Sequence, residues 1–282
     1  MIVRLFCPRC AYGAIKNDMS VTVIDVPVPM ARLSDDGTYQ LKCDAGHVSA
    51  VCLSSIKVEL LFEMGVNALL DGSPREAVSS FIASLERFYE FFLRAVMAHC
   101  SVPVLVVDEA WKPMSNASQT QIGAYVAAYL VLTKAPPHQL ANAEINLRNR
   151  VVHKGYIPKD KEAVAFGDAV LTLIRRDIAI LRTLAPAAMV ATYETMSPQS
   201  KLPPDDPTDT KHLQGIVNCI TTIDLRKEPE DEPRRSGNVA EQMPRILKER
   251  LPHQMTIMTA EEMAKWKAAD ALKAQLPGTH RT

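Results

Sequence analysis

No apolar run in this chain reaches the ~18 residues that a membrane-spanning helix needs, and no signal-peptide pattern follows its first residues. The expectation is a cytoplasmic protein without a membrane partner. Net charge is missing too, since 32 Lys and Arg balance 32 Asp and Glu. That balance excludes a bulk electrostatic grip on nucleic acid and leaves room only for a local basic patch. A glycine-rich loop that could cradle phosphates is absent, so nucleotide hydrolysis is not expected. Six cysteines in 282 residues are too few for a secreted disulfide framework, which is small and cysteine-dense. Internal repeats are lacking as well. What remains, at 47% hydrophobic and 23% charged residues, is a composition able to bury one large core or two to three smaller ones.

Three regions differ in pattern. Residues 1–57 alternate in the manner of short strands, at 1–6, 21–26, 39–43 and 48–53, with turn signals such as Asp35-Asp36-Gly37 and Asp44-Ala45-Gly46 between them. So little strand cannot bury much core, and an external clamp is expected. From residue 58 to 185 the apolar positions recur at helical spacing. Val58, Phe62, Val66 and Leu69-Leu70 form one stripe, ended by Gly72. Ser73-Pro74-Arg75-Glu76 then reads as an N-cap serine, a proline at the first helical position and a glutamate placed for a capping box. The helix it starts runs to about residue 99 on Ala77, Phe81, Leu85, Phe88, Phe92 and Val96. Further helices are expected at 121–134, 138–153 and 160–184. Residues 186–282 hold ten of the nineteen prolines, with mixed charge clusters. They predict an extended, partly helical tail, with short helices at 239–250 and 259–275, that protease would clip first beyond about Pro198. The fold class expected is therefore mainly α, with a small N-terminal β unit, a helical bundle and a helical or irregular C-terminal extension.

Cys7-Pro8-Arg9-Cys10 and Cys43-Asp44-Ala45-Gly46-His47 account for the clamp. Two residues between thiolates let both sulfurs of a tight turn reach one ion, and Cys43 with His47 completes the tetrahedral set that zinc prefers. Cys52 is a rival fourth ligand, less well spaced from Cys43 for a knuckle. These residues resemble a zinc ribbon of the Cys-x2-Cys … Cys-x3-His kind over the first fifth of the chain. Four protein ligands leave no open position, so the expected zinc is structural.

Arg148-Asn149-Arg150-Val151-Val152-His153-Lys154-Gly155 carries the most chemistry. Arginine stays charged and offers phosphate a planar fork, and histidine is the residue type whose proton exchange lies nearest neutrality. The stretch resembles the Arg-x4-His signature of the HEPN superfamily (higher eukaryote and prokaryote nucleotide-binding domains). Its setting is similar as well, with Glu86-Arg87-Phe88-Tyr89-Glu90 like the acidic, aromatic first helix of that fold and a long helix following. The resemblance covers roughly residues 58–185. It implies a metal-independent endoribonuclease of the toxin or phage-defence kind, working as a homodimer on RNA, with an antitoxin or another defence protein as partner. By the same resemblance Arg148, Asn149 and His153 are catalytic, and the products are a 2′,3′-cyclic phosphate and a 5′-hydroxyl. Arg150 and Lys154 are expected to face solvent, with a grip on RNA phosphates as their alternative role.

Helix geometry limits what one copy can do. Five residues turn a helix through ~500°, so Arg148 and His153 diverge by ~140°, while Asn149 and His153 nearly share a face. Alternative assignments exist: Arg148 paired with Glu144 on a solvated face, and His153 as a cation at a helix C-terminus. They correspond to a non-catalytic binding module or adaptor, or to a scaffold whose helices only dimerise.

Overall fold

The computed structural model describes residues 2–10, 30–202, 213–217, 221–226 and 237–250. The fold is mainly helical, with a small three-stranded sheet near the N-terminus. The strand expected at 21–26 and the helix expected at 259–275 lie outside the described residues.

Strands β1 (Ile2–Arg4) and β2 (Met30–Arg32) pair antiparallel. Strands β3 (Thr38–Lys42) and β4 (Val48–Leu53) form an antiparallel hairpin, in the place the alternating pattern indicates. Its core is small: Leu5, Cys7, Leu41, Val51, Leu53 and Leu60. The third strand of this sheet, β5 (Leu213–Val217), comes from the C-terminal tail and lies parallel to β4, from Ser49↔Leu213 to Leu53↔Val217.

The helical core is built on α1 (Lys57–Leu70), α2 (Pro74–His99) and α6 (Asp160–Leu184). The two stripes are buried, from Val58, Phe62 and Val66 through Phe81, Phe88 and Val96, with Leu70 at the end of the first partly buried. Phe81 is wedged between two glycines. A Cβ on Gly167 of α6 would meet its ring at 2.8 Å, and one on Gly65 of α1 would meet it more closely still. Gly65→Ala is therefore expected to lose ~1–3 kcal/mol of stability through overpacking. A chemical-denaturation midpoint equal to that of the wild type would show that the contact relaxes at no cost.

Around this core stand α3 (Val104–Met114), α4 (Ser118–Thr133), α5 (Asn142–Lys154), α7 (Pro186–Met196) and α8 (Val239–Arg250), with a 3-10 turn at Pro198–Lys201. Two of these are not signalled by the sequence pattern. The Val-Leu-Val-Val start of α3 is β-like in propensity, and tertiary packing of Val107 and Trp111 overrides it. Helix α7 begins with Pro186 in its first turn, a start signal hidden among the prolines of the tail. Capping differs too. Ser73 is the N-cap of α2 but its side chain makes no cap bond, and Glu76 pairs with Arg75 instead. A reciprocal box forms instead at α8, where Asn238 Oδ1 accepts from the Glu241 amide and Glu241 Oε2 from the Asn238 amide, each at 3.0 Å.

The described parts of the tail do not hang free. Beside β5, residues Thr221–Leu225 are buried, and Val239 and Ile246 of α8 join the helical core. Helix α8 falls where a short helix is expected, at 239–250, whereas the strand at 213–217 and the buried segment at 221–225 are not signalled by the sequence pattern. Prolines and charges cluster between these segments, while the short apolar stretches find surface to bury. No helix among the described residues is long and apolar enough to cross a membrane.

Candidate functional site

Two constellations carry chemistry, one on the sheet and one on the helices. The first forms because the β3–β4 turn brings Cys43 and His47 back to the N-terminal segment. The Gly46 amide bonds the Cys43 carbonyl at 2.8 Å and the Cys43 amide the His47 carbonyl at 3.1 Å, with Gly46 at φ +79°, a conformation that glycine adopts freely. The ligand atoms of Cys7, Cys10, Cys43 and His47 all lie within 4.8 Å of one another. Cys10 Sγ stands 3.3 Å from His47 Nδ1 and 3.7 Å from Cys43 Sγ, and Cys7 Sγ 3.7 Å from His47 Nδ1. A tetrahedral ion with ~2.3 Å bonds to sulfur separates its ligands by ~3.8 Å, so the spacing suits one ion. The four residues can hold a metal.

Packing three thiols together has an electrostatic cost. Burial, then hydrogen bonds and charge from Cys7 and Cys43, push the Cys10 thiol up to about 12. At Cys43 burial acts upward, yet the His47 amide, the Cys10 and Cys7 thiols and the Ala45 amide outweigh it and leave the thiol below its ordinary value. Backbone amides facing a sulfur are what a knuckle turn supplies. Cys52, the rival ligand, is fully buried in β4 and outside the cluster, and burial raises its thiol.

The second constellation lies where α5 meets α2 and the start of α4. Arg148 is about one-fifth exposed, and its Nη2 donates to Ser118 Oγ at 3.1 Å and approaches Glu86 Oε1 at 3.6 Å. Ser118 closes the triangle by donating to Glu86 at 2.5 Å, and Arg148 Nη1 donates to Asn149 Oδ1 at 3.1 Å. Arg148 thus pairs with Glu86 of α2, not with Glu144 of its own helix. Asn149 is turned to the arginine instead of to the imidazole. The polar seam continues along α2. Glu90 is held by Arg87 at 2.6 Å and by Arg94 at 3.0 Å, and Arg94 reaches Asp108 at 2.6 Å.

His153 is exposed in the last turn of α5 and makes no hydrogen bond with a described residue. Gly155, at φ +66°, ends the helix, and the Tyr156 amide returns to the Arg150 carbonyl at 3.1 Å. The Arg150 guanidinium is exposed but stacks 3.6 Å from the Tyr156 ring centroid, and the Tyr156 hydroxyl donates to Glu162 at 3.0 Å. Lys154 is exposed. The structure therefore gathers Arg148 and Asn149 with Glu86 and Ser118, and sets His153, Lys154 and Arg150 on the solvent side of the helix end.

Nothing matches. Comparison with protein-family models, curated proteins and solved structures finds no similar family, protein or fold for this chain. Its residues alone carry the functional argument. Among the described residues, the Cys/His cluster is the one grouping of three or more potential metal ligands. Sequence reasoning does not reveal Ser118 as the bridge between Glu86 and Arg148. The residue opens α4, and just the coincidence of a hydroxyl at a helix start with an acidic α2 face could point to it.

Proposed function

We propose that this protein is a metal-independent endoribonuclease of the toxin or phage-defence kind, its site composed of Arg148, Asn149 and His153 from two copies of the chain. The observation that carries the reading is the part-exposed Arg148 guanidinium, held by Glu86 and Ser118 and followed on the same helix by an exposed His153. An arginine held in place by its neighbours is pre-positioned, as charge stabilisation at a pentacovalent phosphorus requires. An accessible imidazole can take the proton of a ribose 2′-hydroxyl. The 2′-oxygen then attacks phosphorus, the bond to the 5′-oxygen breaks, and that oxygen takes a proton from a second acid. The products are a 2′,3′-cyclic phosphate and a 5′-hydroxyl. Exposed Lys154, with Arg150 on its tyrosine, contributes to holding the RNA backbone.

Because Arg148 and His153 diverge on one helix, the second copy supplies the group that one copy cannot bring to the same phosphate. The protein is expected to sediment as a dimer at micromolar concentration. A monomer at every tested concentration with full cleavage activity would refute the composite site. The ion of the Cys/His cluster is zinc in this reading, and it is structural. Purified protein incubated with total cellular RNA in EDTA, beside a His153→Ala control, tests the activity itself.

One observation favours a second reading, a non-catalytic binding module for nucleic acid or a protein partner. Arg148 is already countered by the Glu86 carboxylate, as a structural ion pair would be. RNA binding without cleavage in the same assay would select it.

A further inference from the structure

The tail is tied down at two places by unlike chemistry. Its first anchor is β5, whose Leu213 pairs with Ser49, two residues beyond His47. Ser49 Oγ lies 4.0 Å from Cys7 Sγ, so this strand begins beside the Cys/His cluster. The second anchor is residues 221–226, laid over α1. Glu59 Oε1 accepts from the Leu225 amide at 2.8 Å. One turn later Glu63 Oε2 accepts from the Thr222 amide at 2.8 Å and its hydroxyl at 2.9 Å. Arg245 of α8 reaches Glu63 Oε1 and Thr222 Oγ1 at 3.3 Å each, and Arg182 Nη2 donates to the Leu225 carbonyl at 3.0 Å. Ile223 and Leu225 are buried in the helical core.

The two anchors rest on different foundations. Strand β4 exists as a template only while the β3–β4 hairpin holds, and that hairpin has a core of six buried side chains and metal ligands at its turn. Small units of this kind need a clamp to stay folded. Glu59 and Glu63, in contrast, project from α1, whose Val58, Phe62 and Val66 belong to the main core whatever the ribbon does.

We propose that the metal of the Cys/His cluster gates the first anchor alone: its loss frees residues 213–217 from β4 while residues 221–226 stay docked on α1. The consequence is a metal-responsive strap. Without the ion, residues 213–217 are released and the backbone groups of any surviving β4 edge are open to another extended segment. With it, the edge is covered by the chain itself. The inference rests on the cluster holding a metal, as proposed above.

Hydrogen exchange followed by mass spectrometry on the full chain tests it, with zinc-loaded and EDTA-treated samples and metal content measured in each. Work at pH 8 stays above the value of about 7 to which burial and the Asp224 charge push Glu59. Removal of zinc is expected to speed exchange at 43–53 and 213–217 by about tenfold or more, leave 57–99 and 221–226 unchanged, and reverse when zinc is restored. Glu63→Gln is expected to do the opposite, speeding exchange at 221–226 by about tenfold, since a bond to a charged acceptor is weakened, without change in zinc content or at 213–217. Undiminished protection at 213–217 in protein shown to be free of metal would overturn the proposal. So would loss of 221–226 together with 213–217, which would make the strap one unit. Protein that never binds zinc, even when it is added, would instead remove the metal reading, and the gate with it.

Discussion

Replacing His153 with alanine is expected to lower RNA cleavage by ~10²–10⁴-fold, the usual worth of general acid–base help, and to leave the fold intact. The second half follows from its position. His153 is exposed at the end of α5 and makes no hydrogen bond with a described residue, so little packing is lost with it. Arg148→Ala should fall as far, but for a reason that needs a control. The guanidinium also ties α5 to Glu86 of α2 and Ser118 of α4, so its removal disturbs structure as well as chemistry. Arg148→Lys separates the two. A lysine can still answer the Glu86 charge but cannot bond Ser118 and Asn149 while offering a planar fork to phosphate. Helix packing should therefore survive in Arg148→Lys while cleavage recovers little. DNA, lacking the 2′-hydroxyl, should remain uncut, and EDTA should not matter. Cleavage that leaves 3′-hydroxyl ends, or that appears only with magnesium, would mean the mechanism is wrong. Wild-type cleavage by His153→Ala would remove this histidine from the site.

Freshly purified protein should carry about one zinc per chain, and Cys43→Ser should abolish it. Structural zinc sites commonly contribute ~10 kcal/mol or more of apparent binding free energy, more than a sheet core of six side chains could replace. The hairpin is expected to unfold in Cys43→Ser while the far-ultraviolet helical signal stays nearly unchanged, because the helical core is a separate cluster of buried residues. Cys52→Ser is the telling contrast. Cys52 is fully buried in β4 and is not one of the four clustered ligands, so its substitution should cost stability through a buried hydroxyl and leave the zinc in place. Metal analysis decides the matter. A protein without zinc, or zinc lost from Cys52→Ser but kept in Cys43→Ser, would overturn the assignment.

Where burial is periodic and local signals agree, the positions of elements are legible in the chain itself. The α2 stripe from Ala77 to Val96, the α6 span ending at Leu184, the β4 span 48–53 and even α8 at 239–250 follow from apolar spacing and stop residues. Helix α3 does not, because four aliphatic residues in a row have no period to read and the packing of Val107 and Trp111 makes them helical. The start of α5 at Asn142, later than spacing predicts, follows the same rule: an end exposed to solvent leaves few constraints in the chain.

The sequence by itself singled out Cys7, Cys10, Cys43 and His47, because knuckle spacing is a local property of two short turns, but only the fold placed the rival Cys52 outside the cluster. It also determined that Arg148 and His153 share one helix, because a helix is a short-range object. Who faces whom across the fold was decided only by tertiary structure. Glu86, Ser118 and Arg148 are separated by roughly thirty residues at each step. Glu63 and Thr222 are 159 apart. Contacts at such separations depend on how helices pack and on which backbone amides go unpaired, and no spacing along the chain encodes either. For the same reason the tail resembles an appendage in sequence. Its prolines and charges are local facts, whereas the open edge of β4 and the two carboxylates of α1 that bind it exist only once the chain has folded.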